Sequence, residues 1–463
     1  MNGRRSFLKL SGMAGMGMAL GHTQAATLST APSPPPADRF NMCGYAAPAL
    51  ETVRVGIIGL GNRGPGAVEQ LSKIDGVDIR ALCDLRREKA EEALQLLQHT
   101  PHKPELYTGT EDAWKKLCDR DDLDLIYVAT PWHLHARMAA QVMESGKHAA
   151  VEVPAAITLD ECWNLVRTSE RTRKHCIILE NCCYDFFELL TLNMARQGFF
   201  GEIIHCEGAY IHDLLEPNFL KDNYHNMWRL KQNMRNGNLY PTHGAGPVSQ
   251  IMNINRGDRF DYLVSVSSND FMMSAKAMEM ADQDAFYKPF ANSRFRGNIN
   301  TTTIRTVKGR TMMLQHDVTS PRPYSRIHLV SGTKGIAQKY PLPARIARTH
   351  ERWLTEEEFK KLEAQYLPDI VKKIGAMAKQ VEGHGGMDFL MNWRLIDCLR
   401  NGLPVEMDVY DAATWSAIAP LSEKSVANRA ATLDFPDFTQ GSWKTNLPVM
   451  PTLEKGGNTK TLL

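Results

Sequence analysis

The sequence lacks the charge imbalance of a nucleic-acid-binding protein, and it lacks a long apolar run. Its 463 residues carry 54 basic and 52 acidic side chains, which leaves a formal net charge of +2 and no charged tail. It also has no basic stripe interleaved with aromatic residues, the usual mark of a nucleic-acid surface. These absences argue against a nucleic-acid partner, and the apolar stretch near the N-terminus is too short for a stable membrane anchor.

Cysteine is scarce, and its nine residues suit neither a disulfide framework nor a metal site. An odd count, with several thiols inside apolar runs, predicts mostly buried free cysteines. His175, Cys176 and the vicinal pair Cys182-Cys183 lack the C-x-x-C pairing of zinc sites. We therefore predict that they pack in the core and that the protein holds no metal.

The most specific motif is a glycine-rich turn after an apolar strand. Val53-Arg-Val-Gly-Ile-Ile-Gly-Leu-Gly-Asn-Arg-Gly64 leads from a strand pattern through G-x-G-x-x-G into a helical pattern. Gly59 makes the tight turn, Gly61 lets the backbone approach a pyrophosphate, and Gly64 lets the helix pack close to the strand. The N-terminus of that helix supplies an anion site. This is the fingerprint of a dinucleotide-binding domain.

A second strand ends in an acid at the spacing that the fingerprint requires. Val77-Asp-Ile-Arg-Ala-Leu-Cys-Asp84 places a carboxylate where it can accept hydrogen bonds from both hydroxyls of an adenosine ribose. This favours NAD over NADP. Arg86 and Arg87 offer the alternative of holding a 2′-phosphate, which the carboxylate of Asp84 would repel.

Alternating strand and helix patterns predict an α/β protein with two domains. A Pro-rich linker arm over residues 32–52 precedes a Rossmann domain over 53–181, with a doubly wound parallel sheet. Residues 182–463 predict an α+β substrate-binding domain with a mostly antiparallel open sheet and C-terminal helices. A hairpin turn is expected at Gly309. The open sheet face favours self-association as a homo-oligomer.

The patterns give individual elements their bounds. The predicted strands are 53–59, 78–84, 123–129, 148–152, 176–179, 202–211, 262–267, 299–307, 311–318 and 326–330. The predicted helices are 66–73, 87–98, 111–118, 135–145, 159–172, 248–255, 355–366, 369–380, 389–401 and 410–425.

The N-terminus carries an export signature. Arg4-Arg5-Ser-Phe-Leu-Lys9 is followed by a short Gly- and Met-rich apolar run and by the small-residue site Thr23-Gln24-Ala25. The pattern predicts a twin-arginine signal peptide over residues 1–31 and a periplasmic or secreted protein. Because the twin-arginine export machinery carries folded proteins, the enzyme would acquire its dinucleotide in the cytoplasm. The alternative is a chance arginine pair before a frayed terminus.

Two further motifs follow predicted parallel strands, at the sheet edge where ligands bind in this architecture. They are Ala129-Thr-Pro-Trp-His-Leu-His135 and Glu152-Val-Pro154. Glu152 would accept a hydrogen bond from a ribose hydroxyl. The side chains that would line the nicotinamide-ribose side are Trp132, His133 and His135. The alternative is structural: a proline that ends a strand and a histidine that begins a helix.

These motifs together resemble the glucose-fructose oxidoreductase, inositol dehydrogenase and rhizopine-catabolism superfamily. Members commonly carry Glu-Lys-Pro at the strand end, and its lysine helps to deprotonate a sugar hydroxyl. Here the motif is Glu152-Val153-Pro154. Loss of the ammonium removes a proton-handling group and argues against a simple sugar dehydrogenase.

A longer run narrows the resemblance. Tyr240-Pro-Thr-His-Gly-Ala-Gly-Pro-Val-Ser-Gln-Ile-Met-Asn-Ile-Asn-Arg-Gly257, with Phe40-Asn-Met and Gly44-Tyr-Ala-Ala-Pro48, is similar to glycoside hydrolase family 109, the NAD-dependent α-N-acetylgalactosaminidases. The resemblance implies oxidation at C3 of the sugar, deprotonation at C2, elimination of the glycosidic oxygen, addition of water and return of the hydride. An enolate then carries the developing charge, so the paired carboxylates of ordinary glycosidases are not required.

The resemblance also assigns site residues. His243 is the leading candidate for the base, with Tyr240 as its partner, because a helix N-terminus just after it would keep the imidazole neutral. The alternative is a histidine that caps or packs at a helix start. The residues that would contact NAD are Asn62, Arg63, Asp84, Trp132, His133, Leu134, His135, Glu152, Val153 and Asn181. The residues that would face the sugar are Tyr210, Arg229, Tyr240, Thr242, His243 and Tyr324.

Tyr210 and Tyr324 are predicted on strands of the second domain, from which both can point into an interdomain cleft. Two other functions stay open. An exported sugar oxidoreductase of the glucose-fructose type, using NAD or NADP, would consume or exchange reducing equivalents. A non-catalytic sugar-binding relative would keep NAD as a structural group and would lose no turnover when His243 is replaced.

Overall fold

A parallel sheet of six strands forms the first part of the chain. The computed structural model describes residues 39–381 and 383–462. The strands are β1 (Val53–Ile58), β2 (Val77–Cys83), β3 (Glu105–Tyr107), β4 (Leu125–Val128), β5 (His148–Val151) and β6 (Cys176–Ile178). The helices between them are α1 (Gly64–Ser72), α2 (Arg87–Gln95), α3 (Ala113–Cys118), α4 (Trp132–Glu144) and α5 (Leu159–Thr172). The strand order is β3-β2-β1-β4-β5-β6, which confirms the predicted Rossmann sheet.

Local sequence explains these elements. Every residue of β4 and β5 is buried, as expected of strands covered by helices on both faces. Helix α5 starts where the pattern predicts because Thr158 and Glu161 form a capping box, each side chain accepting from the other's backbone N–H.

A second sheet of eight strands follows. Its strands are β7 (Ile203–Ile211), β8 (Phe260–Ser267), β9 (Ile299–Thr306), β10 (Thr311–Asp317), β11 (Leu329–Gly332), β12 (Ile336–Gln338), β13 (Arg345–Ala347) and β14 (Leu433–Asp434). They have the order β13-β12-β11-β7-β10-β9-β8-β14, and every pair except β7 with β10 is antiparallel. Gly309 turns the hairpin from β9 to β10 with φ of +84°. The predicted mostly antiparallel sheet is confirmed.

Helices cover the two sheets. They are α6 (Phe186–Arg196), α7 (Leu215–Phe219), α8 (Trp228–Gln232), α9 (Thr242–Ile251), α10 (Met273–Gln283), α11 (Glu356–Tyr366), α12 (Asp369–Val381), α13 (Met387–Asn401) and α14 (Val409–Ala427). The long C-terminal helices reach both sheets, since α13 packs beside α1 and β1 while α14 contacts α5 and β8. None of the described helices combines the length and apolar character needed to cross a membrane.

The described part of the arm is tied to the rest of the chain. Arg39 forms an ion pair with Glu170 and donates a hydrogen bond to the hydroxyl of Tyr410 at 3.1 Å, and Met42 is buried. All nine cysteines are unpaired, and all but Cys43 are buried. The signal peptide predicted over residues 1–31 lies outside the described residues, as does the arm before residue 39.

Several predicted bounds are wrong for local reasons. The helix predicted over 248–255 is α9, which starts at Thr242 because the run Thr-His-Gly-Ala-Gly already forms its first turns; it ends before Asn253 and Asn255, which take left-handed φ of 60° and 66°. The strand predicted over 326–330 begins only at Leu329, because Ile327 and His328 have φ of 60° and 43°. The short strands β3, β12, β13 and β14 carried no pattern of their own.

Candidate active site

One cleft of about 950 Å³ opens at the carboxyl ends of the parallel strands. Loops after β1, β2, β4, β5 and β6 line one side, and side chains of β7, α8 and α9 line the other. The predicted residues that line it are Gly59, Gly61, Asn62, Arg63, Asp84, Trp132, His133, Leu134, His135, Glu152, Val153, Asn181, Tyr210, Arg229, Tyr240 and His243. The predicted residues that do not line it are Gly64, Thr242 and Tyr324.

The three fingerprint glycines meet different surroundings. Gly59 has φ of +91°, and a Cβ there would lie 2.5 Å from the carbonyl oxygen of Ala129. A Cβ on Gly64 would collide with the carbonyl oxygen of Gly59. A Cβ on Gly61 would meet nothing nearer than the Arg86 guanidinium, at 3.8 Å. The fold itself therefore requires Gly59 and Gly64, whereas the space above Gly61 is left for a ligand.

Asp84 lies directly after β2 and lines the cleft. Its two oxygens accept hydrogen bonds from the backbone N–H groups of Leu60 at 2.8 Å and Arg86 at 2.9 Å. These bonds fix the carboxylate beside the glycine-rich turn. The side chain of Arg87 is 74 % exposed and pairs with Glu91, so of the two arginines only Arg86 lines the cleft.

Arg63 ties the turn to two other parts of the chain. Its Nε donates to Glu152 Oε1 at 3.0 Å, and its Nη1 donates to Asp388 Oδ2 at 2.9 Å. Asn181 donates to the other oxygen of Asp388 at 2.5 Å. Burial opposes ionisation of Asp388, but the hydrogen bond from His384 and the charge of Arg63 hold the pKa of its carboxyl well below the ordinary value. These hydrogen bonds connect the ends of β5 and β6 and the start of α13 to the glycine-rich turn.

Aromatic rings and one guanidinium build the opposite end. The rings of Trp132 and Tyr240 stack with centroids 5.2 Å apart, and the Arg229 guanidinium lies within 5.5 Å of both centroids. Arg229 Nη1 donates to the hydroxyl of Tyr224 at 3.1 Å. Its Nη2 is buried and has no partner within the described part of the chain. Stacked aromatic faces with a free donor suit the apolar face and hydroxyls of a sugar.

His243 is the second residue of α9, and its ring lines the cleft. Its Nδ1 lies 2.7 Å from Oε1 of Glu180, which is fully buried. The rings of Tyr240 and Tyr210 meet the imidazole edge to face at 4.9 and 5.4 Å. The predicted partner Tyr240 thus packs against the imidazole, and the hydrogen-bond partner is Glu180, which the sequence analysis missed.

Three of the predicted site residues have structural or marginal positions. Both ring nitrogens of His135 face backbone carbonyls, Pro154 O at 2.8 Å and Thr130 O at 2.6 Å, so this side chain joins two cleft loops. Thr242 is completely buried. Tyr324 is not in a strand, contrary to the expectation; it lies at the margin, with its ring 5.1 Å from that of His212.

One cluster has residue types found in metal sites. Single atoms of Glu180, Cys182 and His243 lie within 4.8 Å of one another. Two ligands about 2.1 Å from a tetrahedral zinc would be roughly 3.4 Å apart. Glu180 and His243 are closer than that, at 2.7 Å, so their contact is a hydrogen bond.

The sequence offered a signal for only some of the missed residues. Glu180 follows β6 just as Asp84 follows β2 and Glu152 follows β5, so strand-end position could have found it. Tyr224 and Trp228 also line the cleft, but they come from a segment of short turns without periodicity.

Comparisons with known proteins match the two parts of the chain to two family models. The family model described as Glycosyl hydrolase 109, C-terminal domain, matches residues 184–445, and that described as Oxidoreductase family, NAD-binding Rossmann fold, matches residues 53–179. A glycosyl hydrolase family 109 protein of Shewanella pealeana is 46% identical over 455 residues, covering 96% of this chain and 98% of the relative. An alpha-N-acetylgalactosaminidase of Bacteroides fragilis is 48% identical over 418 residues, covering 87% and 96%. A solved levoglucosan dehydrogenase in complex with NADH shares the fold, with a TM-score of 0.61, 17% identity, and coverage of 83% and 99%.

Proposed function

Because this chain belongs to the glycosyl hydrolase 109 family, we propose that it removes terminal α-N-acetylgalactosamine residues from glycosides without net redox change. The chain is a glycoside hydrolase whose Rossmann domain binds NAD. The specificity is supported by the relative named alpha-N-acetylgalactosaminidase. The observation that carries the cycle is a single cleft shared by the dinucleotide turn and His243.

The residues at the nucleotide end fit the cofactor. The open space above Gly61 and the N-terminus of α1 suit a pyrophosphate, and Asp84 suits the adenosine ribose hydroxyls. Arg63 and Glu152 lie beside the same turn and would hold the second ribose. When bound, NAD⁺ supplies a reversible hydride acceptor for C3 of the sugar.

Proton handling falls to the other end of the cleft. The superfamily lysine is replaced by Val153, which is buried and cannot take a proton. His243 lines the cleft between Tyr210 and Tyr240, and we assign to its ring the removal of the C2 proton once C3 is a ketone. Arg229 and the stacked pair of Trp132 and Tyr240 would hold the sugar over it.

A two-channel assay tests the proposal. The purified protein with trace NAD⁺ is given p-nitrophenyl α-N-acetylgalactosaminide, and nitrophenol and NADH absorbance are recorded together. We expect many turnovers of nitrophenol without accumulating NADH. Stoichiometric NADH without nitrophenol would indicate an oxidoreductase, and silence in both channels would contradict the proposed glycoside.

The role of His243 has its own test. His243→Ala should keep NAD binding and lose turnover, because the base of the elimination step is gone. If kcat stays within about threefold of the wild-type value, under roughly 1 kcal/mol in barrier, the assignment of the base is wrong.

We further propose that the protein is exported in the folded state through the twin-arginine pathway. The leader with Arg4 and Arg5 supports this, and nine unpaired thiols suit a chain that folds in the reducing cytoplasm before it is exported. Detection of the mature enzyme in periplasmic or culture fractions, and its retention in the cytoplasm when both arginines become lysine, would test it.

A further inference from the structure

We propose that Glu180 is the positioning residue of the base: its carboxylate orients the His243 ring and stabilises the imidazolium that forms when the C2 proton is taken. The inference rests on the proposed function and deepens it. A side chain that is completely buried and carries a negative charge needs a partner. His243 is the only side chain that makes an ion pair with it among the described residues.

The hydrogen bonds define one geometry. Oε1 of Glu180 faces His243 Nδ1 at 2.7 Å and also accepts from the backbone N–H of Cys182 at 3.1 Å. Oε2 is buried and has no partner within the described chain. With Nδ1 engaged by the carboxylate, the ring exchanges protons with a ligand through Nε2. The arrangement is the acid–histidine pairing of the serine-protease triad, in which a carboxylate orients the ring and stabilises the imidazolium.

The charge state of Glu180 agrees with this role. Burial alone raises the pKa of a carboxyl, yet the charge of His243 and its hydrogen bond bring the pKa of Glu180 below its ordinary value. The carboxylate is therefore ionised at neutral pH. Its negative charge is in place before the substrate arrives, so no reorganisation is needed when the ring becomes positive.

Two glycines of α9 let the pair form. A Cβ on Gly246 would lie 2.8 Å from Cγ of Glu180, and a Cβ on Gly244 would lie 2.5 Å from the backbone nitrogen of Ala209 in β7. Gly246 thus gives room to the carboxylate, and Gly244 lets the helix lie against the strand. The run His-Gly-Ala-Gly is explained by this double approach, with His243 at its start.

The other groups around the ring are neutral or positive. Burial raises the pKa of the Cys182 and Cys183 thiols and of the Tyr210 and Tyr240 hydroxyls, so these groups stay protonated. Burial lowers the pKa of His212, which keeps that ring neutral near pH 7. The guanidinium of Arg229 lies 5.5 Å from the centroid of the Tyr240 ring and is a positive charge. Glu180 is therefore the carboxylate that can offset a charged His243.

Two substitutions separate charge from size. Glu180→Gln keeps the volume and removes the charge, whereas Glu180→Asp keeps the charge and shortens the side chain by one methylene. We expect Gln to lose at least about a hundredfold in kcat/KM and Asp to retain clearly more. The acid limb of the kcat/KM profile of the Gln variant should lie at lower pH, because imidazolium forms less readily without the carboxylate. A role in packing alone predicts the opposite ranking, with Gln better than Asp and no change in the profile.

Controls keep the outcomes distinct. Thermal unfolding reports folding of each variant, and NAD affinity should not change much, since Glu180 does not line the cleft. Wild-type turnover is measured first, and its absence would contradict the proposed function. If the wild type is active and the kcat/KM of Glu180→Gln lies within threefold of it, only the role of Glu180 is overturned. If the Gln variant does not fold, proton NMR of the wild-type protein provides the test. A strongly downfield Nδ1–H resonance that is lost in His243→Gln would support the inference, and its absence in the wild type would overturn it.

Discussion

Replacing Gly61 by alanine should weaken cofactor binding without disturbing the fold. The added methyl would meet no protein atom nearer than 3.8 Å, and Gly61 has no left-handed φ that alanine would strain. We therefore expect the free energy of unfolding of the apo protein to change by less than about 0.5 kcal/mol. The methyl would occupy the space into which the pyrophosphate must come to reach the backbone N–H groups at the start of α1.

The loss in NAD affinity follows from that displacement. Hydrogen bonds to a charged group are each worth about 1.5–3 kcal/mol, so losing one raises the Kd for NAD roughly tenfold or more. Isothermal titration of apo protein with NAD⁺ gives the Kd, and urea unfolding gives the stability. Gly66→Ala is the matched control: Gly66 lies in the first turn of α1, a Cβ there would meet nothing within 4 Å, and the substitution should leave NAD binding unchanged.

Gly64→Ala should instead lower the stability of the folded protein. Its methyl would collide with the carbonyl oxygen of Gly59, and such overpacking costs about 1–3 kcal/mol of stability. An NAD affinity of Gly61→Ala within twofold of the wild type would refute the placement of the pyrophosphate over this residue. So would a loss of stability in Gly61→Ala as large as that of Gly64→Ala.

Three further substitutions test other parts of the structure. Asp84→Ala should lower the ratio of the NADP dissociation constant to the NAD dissociation constant at least about tenfold, because the acid that repels a 2′-phosphate is gone while Arg86 stays in the cleft. Fluorescence titration with both cofactors measures this ratio, and an unchanged ratio would contradict the prediction. Arg229→Lys should reduce kcat/KM at least about tenfold with an unchanged Kd for NAD, because an ammonium lacks the planar guanidinium that lies among three aromatic rings. Equal activity of the variant and the wild type in steady-state assays would contradict a contact between Arg229 and the sugar. Burial lowers the pKa of His175 from 6.5 to about 4, so the unfolded chain binds the extra proton in this window and stability falls as pH falls, by about 1.4 kcal/mol per pH unit. His175→Gln should reduce the slope by about that amount but not abolish it, because other buried histidines such as His148 and His328 contribute in the same sense. Urea titrations between about pH 6.5 and pH 5 that give the same slope as wild type would show that His175 does not contribute.

The sequence predicts best where chemistry is local. The turn at Gly59 and the acid at Asp84 are separated by one βαβ unit, so spacing alone places both at the same sheet edge. The pairing of Glu180 with His243 joins residues 63 positions apart and depends on how α9 packs against β7 and the turn after β6. No local pattern contains that information.

Other misses have similar causes. Pro247 lies inside α9 although proline is disfavoured in a helix interior, and the predicted helix over 248–255 starts only after it, which leaves His243 outside. Arg63 lines the cleft at the predicted turn, but its bond to Asp388 depends on a helix that starts over 300 residues later. Tertiary contact decides such partners, whereas periodicity decides only the elements.

The central claim is that the glycosidic bond breaks by elimination after a proton leaves C2. The most direct measurement is hydrolysis of p-nitrophenyl α-N-acetylgalactosaminide in D₂O, followed by proton NMR and mass spectrometry of the released sugar. Removal of the C2 proton and its return from solvent predict deuterium at C2 of the product, with unreacted substrate unlabelled. A released sugar that keeps its C2 proton while nitrophenol accumulates at the full rate would contradict the elimination and indicate direct displacement at C1.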